Sequence, residues 1–317
     1  MTYISSAPIV SIIIVNWNGL NYLDSCLESV FNLDYNNFEV IFVDNGSKDG
    51  SVNFVNKRFP KVKIIQNKKN LGFAKGNNVG IKKAKGKYIA TLNNDTKVDP
   101  SWLKELVSAA ENDEKIGTCA SKILIYDTPK LIDSAGIFIA RNGGGENRGA
   151  ILSSKRYCNK KTEVFGACAA AALYRKKMLK DIGYFDQDYF AYFEDVDLAW
   201  RAQLAGWKCM FIPSAIVYHK GGGTSRKEAS SFTKYLCERN RIWNVLKNAS
   251  KKHIIYNLGW ILYKQLRSFL YALIKNSPEI LRAKIDAITS LKEVLIKRKI
   301  IQSKKIVNDS EIEKWMI

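Results

Sequence analysis

The sequence predicts an α/β fold: a mostly parallel sheet flanked by helices, followed by a basic helical extension. Three observations carry this. The first hundred residues alternate short β-branched runs with helical patterns. Those runs are apolar throughout, not at every second residue, which marks strands buried on both faces. From Glu228 onward the pattern changes to long helices. The 317-residue length suits one large domain plus an extension, divided here as residues 1–225 and 226–317.

The elements follow in order. "VSIIIV" (10–15), "EVIFVD" (39–44), "VKIIQ" (62–66) and "KYIATL" (87–92) read as strands. Between them, "NYLDSCLESVFN" keeps Leu23, Leu27 and Val30 on one face, and "SVNFVNKRF" and "FAKGNNVGIKKA" continue the alternation. "SWLKELVSAAEND" is a fourth helix with Ser101 as its expected N-cap. Residues 117–150 read as short strands and loops, and the glycine-rich "NGGGENRG" (142–149) is expected to be mobile. "FGACAAAALYRKKML" (165–179) reads as a close-packing region entering a short helix. Its Gly166-Ala167-Cys168 suits either backbone approach to a ligand or tight packing. A helix is expected from Glu194 to Leu204 or Ala205, stopped by Gly206. "KCMFIPSAIVYH" is a further strand, ending at His219 before the glycine triplet 221–223.

In open α/β sheets ligands bind at the carboxyl ends of the strands. Here the first strand runs into Asn16-Trp17-Asn18-Gly19, the second into Asp44-Asn45-Gly46-Ser47 and the fourth into Asn93-Asn94-Asp95. One such end is ordinary turn chemistry. Three in one sheet point to a crevice. No G-x-G-x-x-G or G-x-x-x-x-G-K-[ST] is present, so dinucleotide and P-loop sites are excluded. A carboxylate holding a divalent cation is the obvious other way to handle phosphate.

A second acidic cluster lies in "GYFDQDYFAYFEDVDLAWRAQLAGW". Asp197 and Arg201 form an i,i+4 pair, which accounts for Asp197 structurally. Glu194 and Asp195 follow Tyr189, Phe190, Tyr192 and Phe193. A carboxylate desolvated among aromatics has a raised pKa, which suits a general base. His219 reads equally as a metal or phosphate contact and as a satisfied polar group.

The net charge is +20, and residues 226–317 hold 20 Lys/Arg against 8 Asp/Glu. Such a tail points to nucleic acid, to an anionic membrane surface or to solvated helix faces. No nucleic-acid-binding motif accompanies it, so nucleic acid is the disfavoured partner. In "HIIYNLGWILYKQLRSFLYALIKN", Ile254, Leu258, Ile261, Leu262, Leu266, Phe269 and Leu273 lie near one face. Lys264 and Arg267 in its middle argue against a spanning helix. Tyr256, Trp260, Tyr263 and Tyr271 with flanking lysines suit an interfacial helix. Packing on the body, or on a second subunit of a homo-oligomer, is the alternative. The six cysteines form no C-x-x-C, and "MTYISSAPIV" lacks a basic n-region, so a reducing cytosolic setting is expected.

Six motifs in order, "VSIIIVNWNG", "VIFVDNGSKDGS", "NLGFAKGNNVGI", "YIATLNNDT", "YFAYFEDVDLAWRAQLAGW" and "VYHKGGGTS", resemble glycosyltransferase family 2 over about residues 8–225. Within it they are most similar to the rhamnosyltransferase-like branch that builds surface glycans. The resemblance implies the GT-A fold for nucleotide-diphospho-sugar transfer. It also implies roles. Asp44 would bind the nucleotide base, with Asn16 and Asn18 lining the same pocket and Asn70, Gly72 and Asn77 near the phosphates. Asn93-Asn94-Asp95 would stand for the D-x-D motif, Asp95 holding Mg²⁺ or Mn²⁺ on the diphosphate. The first position is Asn93 where the motif has aspartate. Asp195 would be the base, with Glu194 beside it, and His219 would join the metal shell. The implied activity is inverting sugar transfer from a nucleoside-diphosphate sugar to a glycan or polyprenyl-linked acceptor. The implied place is the cytosolic, inner face of the cell membrane, held peripherally. An inactive GT-A-like scaffold is the remaining alternative, disfavoured because Asp95 and Asp195 are both present.

Overall fold

The computed structural model describes residues 9–221 and 231–317. Four parallel strands occupy one half of the main sheet: β1 (Val10–Asn16), β2 (Phe38–Asp44), β3 (Lys63–Gln66) and β4 (Tyr88–Asn93). The helices between them are α1 (Leu20–Phe31), α2 (Ser51–Arg58) and α3 (Gly72–Lys83). Val10, Ile12 and Ile14 of β1 join a core with Leu23, Leu27 and Val30 of α1. Ile13 faces the other way, into a core with Ala74 and Ile81 of α3. Burial on both faces is why β1, β2 and β4 are largely apolar, whereas β3, at the sheet edge, is partly exposed.

The second half is mixed. β5 (Thr96–Val98) precedes α4 (Trp102–Glu111), and β6 (Ile116–Ile125) is a ten-residue strand where short pieces were expected. β7 (Thr128–Ser134) folds back on β6, and β8 (Ile137–Ile139) pairs with β9 (Gly145–Asn147). The glycine-rich stretch is therefore a hairpin turn, with the Ala140 N–H donating to Gly144 O at 2.7 Å. Gly143 has φ +81°, and a Cβ there would lie 2.5 Å from Val245, so glycine is required. β10 (Thr162–Val164) leads to β11 (Ala171–Arg175) and α5 (Lys176–Ile182). A 3₁₀ turn (Gln187–Tyr189), α6 (Glu194–Leu204) and β12 (Lys208–His219) complete the body. The sheet order is β3-β2-β1-β4-β11-β6-β12-β10, with β5 on β12 and β7 on β6. β11 runs antiparallel to both β4 and β6, and β10, β5 and β7 also pair antiparallel; β6 and β12 are parallel. Ser101 does not cap α4 with its side chain. Its Oγ donates to Asp99 at 2.9 Å, because Ser101 is already helical at φ −80°, ψ −11°.

The expected boundary at 225/226 and part of the glycine triplet lie outside the described residues. Beyond them come α7 (Ser231–Asn248), α8 (Lys251–Ile274), α9 (Pro278–Thr289), α10 (Leu291–Ser303) and α11 (Asp309–Glu313). α6 is wedged between sheet and tail. Leu198 and Ala202 face the sheet core, while Trp200 and Leu204 share a core with Val245, Ile301 and Ile312. α8 is the outlier: only His253 and Ala272 are buried in it. Ile254 and Ile261 lean on the body, whereas Leu258, Leu262, Leu266, Phe269 and Leu273 are exposed. Among the described residues, no helix is long and apolar enough to cross a membrane. All six cysteines are unpaired.

Candidate active site

Parallel pairing sets the three polar strand ends level. Asn16 lies opposite Asp44, and Val15 opposite Asn93. Asn16, fully buried, ties them together. Its Nδ2 donates to Asp44 Oδ1 (3.2 Å) and Ser47 Oγ (3.1 Å), and its Oδ1 accepts from Asn94 Nδ2 (2.6 Å). Asp44 Oδ2 accepts the N–H groups of Gly46 and Ser47 at 3.0 and 2.9 Å, closing its own turn. Asn18 adopts φ +48° and accepts the Lys48 N–H at 2.8 Å.

Asn70, Gly72 and Asn77 serve the neighbouring loop. Asn70 Oδ1 accepts the Gly72 N–H at 2.8 Å, and Asn77 Nδ2 donates to Phe73 O at 3.0 Å. Gly72 has φ +76°, and a Cβ there would meet Phe190 O at 2.5 Å. None of these three, nor Asp44, lines the main cleft.

β12 places its last residue, His219, opposite Thr96 of β5, and so beside Asp95. His219 Nε2 lies 3.2 Å from Asp95 Oδ1 and 3.3 Å from Asn93 Nδ2. Its Nδ1 lies 2.8 Å from Asp133 Oδ2 on β7. Burial works to lower the imidazole pKa, but the Asp133 and Asp95 carboxylates outweigh it and lift it to about 9. Among the described residues, no group of three or more His, Cys, Asp and Glu is placed to hold a metal alone. That suits Mg²⁺ or Mn²⁺ on a diphosphate, which take one or two protein groups and complete their shell with phosphate oxygens and water. Asp95 and His219 lie where they could supply those protein groups, with the Asp133 carboxylate behind the imidazole.

The opposite wall is α6. Phe190, Tyr192 and Phe193 just before it all have φ between 65 and 67°. Bulky residues rarely adopt that region, and such strain persists only where surrounding structure enforces it. Enforcement comes from the tail. Asn240 of α7 donates through Nδ2 to the carbonyls of Tyr189 (3.1 Å), Ala191 (3.0 Å) and Tyr192 (2.7 Å). The strained run delivers Glu194 and Asp195 to the cleft. Asp195 accepts the N–H of Ala169 (3.3 Å) and of Val196 (2.8 Å). Burial raises its pKa against the pull of those N–H groups. Glu194 is raised well above the usual range by burial and then by the Asp195 charge, and among the described residues its Oε2 has no hydrogen-bond partner.

A cleft of about 690 Å³ joins these parts. It brings together Asn18, Asn93, Asn94, Asp95, Glu194, Asp195 and His219. Cys168 lines it too, whereas Gly166 is a packing glycine whose Cβ would meet Ala199 at 2.4 Å. Sequence reasoning assigned no role to Trp17, Asp133 or Asn240. Trp17 is 56% exposed at the cleft, and a large aromatic between two strand-end asparagines was its signal. Asn240, Asn244 and Asn248 form a buried stripe at helical spacing, legible as a polar face turned inward. Asp133 left no local signal, since only the β6–β7 hairpin carries it to His219.

Residues 11–183, more than half of the chain, match the pattern of glycosyl transferase family 2. The chain belongs to this family. A curated relative of this family 2 chain is an uncharacterized glycosyltransferase of Haemophilus influenzae, 33% identical over 38% of this chain and 38% of its own length. The chain spans about two fifths or less of the first such relatives. An N-acetylglucosaminyl-diphospho-decaprenol L-rhamnosyltransferase of Mycobacterium tuberculosis is 25% identical over 70% of this chain and 80% of its own. Among solved structures, GalNAc-T7 with UDP, GalNAc and Mn²⁺ superposes with a TM-score of 0.61 at 17% identity, covering 77% of this chain and 48% of that one. The likeness establishes the GT-A fold.

Proposed function

We propose that this family 2 protein is an inverting, divalent-cation-dependent glycosyltransferase. It moves a sugar from a nucleoside-diphosphate sugar to a hydroxyl of a glycan or polyprenyl-linked acceptor in surface-glycan synthesis. One observation carries the reading: Asp95 with His219, and Asp195 with Glu194, line a single cleft. Trp17 offers the nucleotide base a stacking face, and Asn18 and Asn94 offer polar contacts beside it. Asp44 and Asn16 act from below by fixing the loop. Asp95 and His219 would hold Mg²⁺ or Mn²⁺, which when bound neutralises charge on the departing diphosphate.

Asp195 accepts the acceptor's hydroxyl proton. The oxygen bonds to the anomeric carbon as the carbon–oxygen bond to the diphosphate breaks, and the diphosphate leaves with that electron pair. Attack opposite the leaving group inverts the carbon, and no enzyme nucleophile is needed. Residues 1–225 carry this chemistry, and residues 226–317 serve its acceptor side. The exposed Tyr256, Trp260 and Tyr263 of α8, among lysines, suit a peripheral position on an anionic membrane face.

The test is release of nucleoside diphosphate by the purified chain from a panel of nucleotide sugars, with Mg²⁺, Mn²⁺ or chelator. Metal-dependent release from one donor is expected, and Asp95→Ala removes the metal dependence. No release from any donor, or release indifferent to metal and to Asp95→Ala, would sink the reading.

A further inference from the structure

A second cleft, of about 450 Å³, lies between the β8–β9 hairpin, α7 and α8. It shares Gly145 and Phe193 with the main cleft, so the two adjoin at the residue that precedes Glu194. Three cations line it, Arg241, Lys264 and Arg267, together with two carboxylates, Glu146 and Glu238. Arg241 pairs with Glu238 at 3.1 Å, but Glu238 is already answered by Lys284 at 2.7 Å and Ser268 at 2.6 Å. Arg267 makes no hydrogen bond or ion pair among the described residues. Lys264 makes none either, its ammonium resting 4.4 Å from the Trp260 ring centroid. Lys264, Arg267 and Tyr271 recur at helical spacing along the cleft edge of α8. The rest of that helix exposes Leu262, Leu266, Phe269, Leu270 and Leu273.

Unpaired cations bordering an exposed apolar helix complement an amphiphile: an anionic group joined to a hydrocarbon chain. We propose that this cleft binds the diphosphate of a lipid-linked acceptor, with its chain along α8 and its sugar reaching past Gly145 and Phe193 to Asp195. This rests on the glycosyltransferase reading above and names where its acceptor is held. The position is chemically consistent, because the anion sits on the Glu194–Asp195 side of the main cleft, away from the donor diphosphate at Asp95. Arg267 and Lys264 supply charge-assisted hydrogen bonds that an apolar helix alone cannot.

The experiment is flotation of the full chain with phosphatidylcholine vesicles carrying a few per cent polyprenyl diphosphate. Vesicles matched in surface charge with phosphatidylglycerol, and plain ones, are compared. The diphosphate vesicles are expected to bind about tenfold more tightly than the matched ones. Lys264→Gln with Arg267→Gln removes that preference. Lys292→Gln with Lys299→Gln, equal in charge and on exposed α10 positions, keeps it. Circular dichroism confirms that both variants fold. Equal binding to both anionic vesicles, or a preference surviving in the Lys264/Arg267 variant, overturns the proposal. Donor turnover by the wild-type chain in the same preparation separates the two readings. Turnover without diphosphate preference removes only this one, and absence of both removes the glycosyltransferase reading as well.

Discussion

Asp195 and Asp197 are two residues apart on one helical turn, yet their surroundings drive them in opposite directions. Burial raises Asp195, and only backbone N–H groups oppose it. Burial would raise Asp197 as well, but Arg201 at 2.9 Å and Lys247 at 2.7 Å outweigh it and hold the carboxyl well below its usual range. A base works when ionised, so activity should fall as pH drops through the raised Asp195 pKa. That acid limb is expected above the ordinary aspartate value of 3.8, in a kcat–pH profile. Asp195→Asn should lower kcat by about 10²–10⁴-fold with donor affinity retained by calorimetry. Near-normal turnover would refute the assignment.

Asp197 has a stability role. A carboxylate whose folded pKa lies below its unfolded value adds stability that is complete above the unfolded value, about 3.9. That contribution is lost as pH falls toward the folded value, so its loss begins below about pH 4. Lys247 is buried between Asp197 and Asp186, the latter at 2.6 Å. Lys247→Met removes the cation shared by both carboxylates, leaving Asp197 to Arg201 and Asp186 to Lys297, and should cost about 3 kcal/mol in urea unfolding. Lys297 reaches the same Asp186 from a site 33% exposed, and Lys297→Met should cost no more than about 1 kcal/mol. Equal costs would show that burial is not what makes Lys247 matter.

At the scale of elements, the strands that position the donor side were readable because each is buried on both faces and stops at a polar cluster. α6 was readable from its acidic start and from Gly206, which does adopt φ +75°. β11 was not. "AALYR" carries no strand signal of its own, since alanine favours helix, and pairing with β4 and β6 overrides that preference. The distortion before α6 was equally hidden, because its cause lies some fifty residues downstream in Asn240. That dependence gives a prediction. Asn240→Ala releases the Ala191 and Tyr192 carbonyls, while Tyr189 O keeps the Ala191 N–H and Arg239, and lets Tyr192 and Phe193 relax, shifting Asp195 by a fraction of an ångström or more. kcat should fall by up to about a hundredfold, with donor KM little changed, because the proposed donor site lies on other strands. Asn244→Ala is the comparison, since Asn244 bonds Gly143 O (3.1 Å) and the Tyr189 hydroxyl (2.6 Å) but no backbone carbonyl of residues 189–192. If both variants lose kcat equally, Asn240 has no specific hold on the base.

For the whole molecule, the sequence boundary at 225/226 separates two compositions but cuts through one core. Trp200 and Leu204 of the body pack with Val245, Ile301 and Ile312 of the tail. The chain end returns beside β8, where the Ile317 N–H donates to Ile139 O at 3.0 Å. Burying each large apolar side chain contributes about 1.5–3 kcal/mol. Stripping several such contacts from a fold whose net stability is about 5–15 kcal/mol leaves nothing in reserve. Residues 1–225 alone should therefore aggregate on expression, with Lys247 gone from beside two buried carboxylates. α8 behaves differently, because it contributes only His253 and Ala272 to the interior. Replacing residues 254–271 with a glycine-serine linker should keep a cooperative melting transition while abolishing vesicle flotation. A folded 1–225 fragment with metal-dependent turnover would show that the tail is dispensable to the fold. Unaltered flotation after loss of α8 would assign vesicle binding to another part of the molecule.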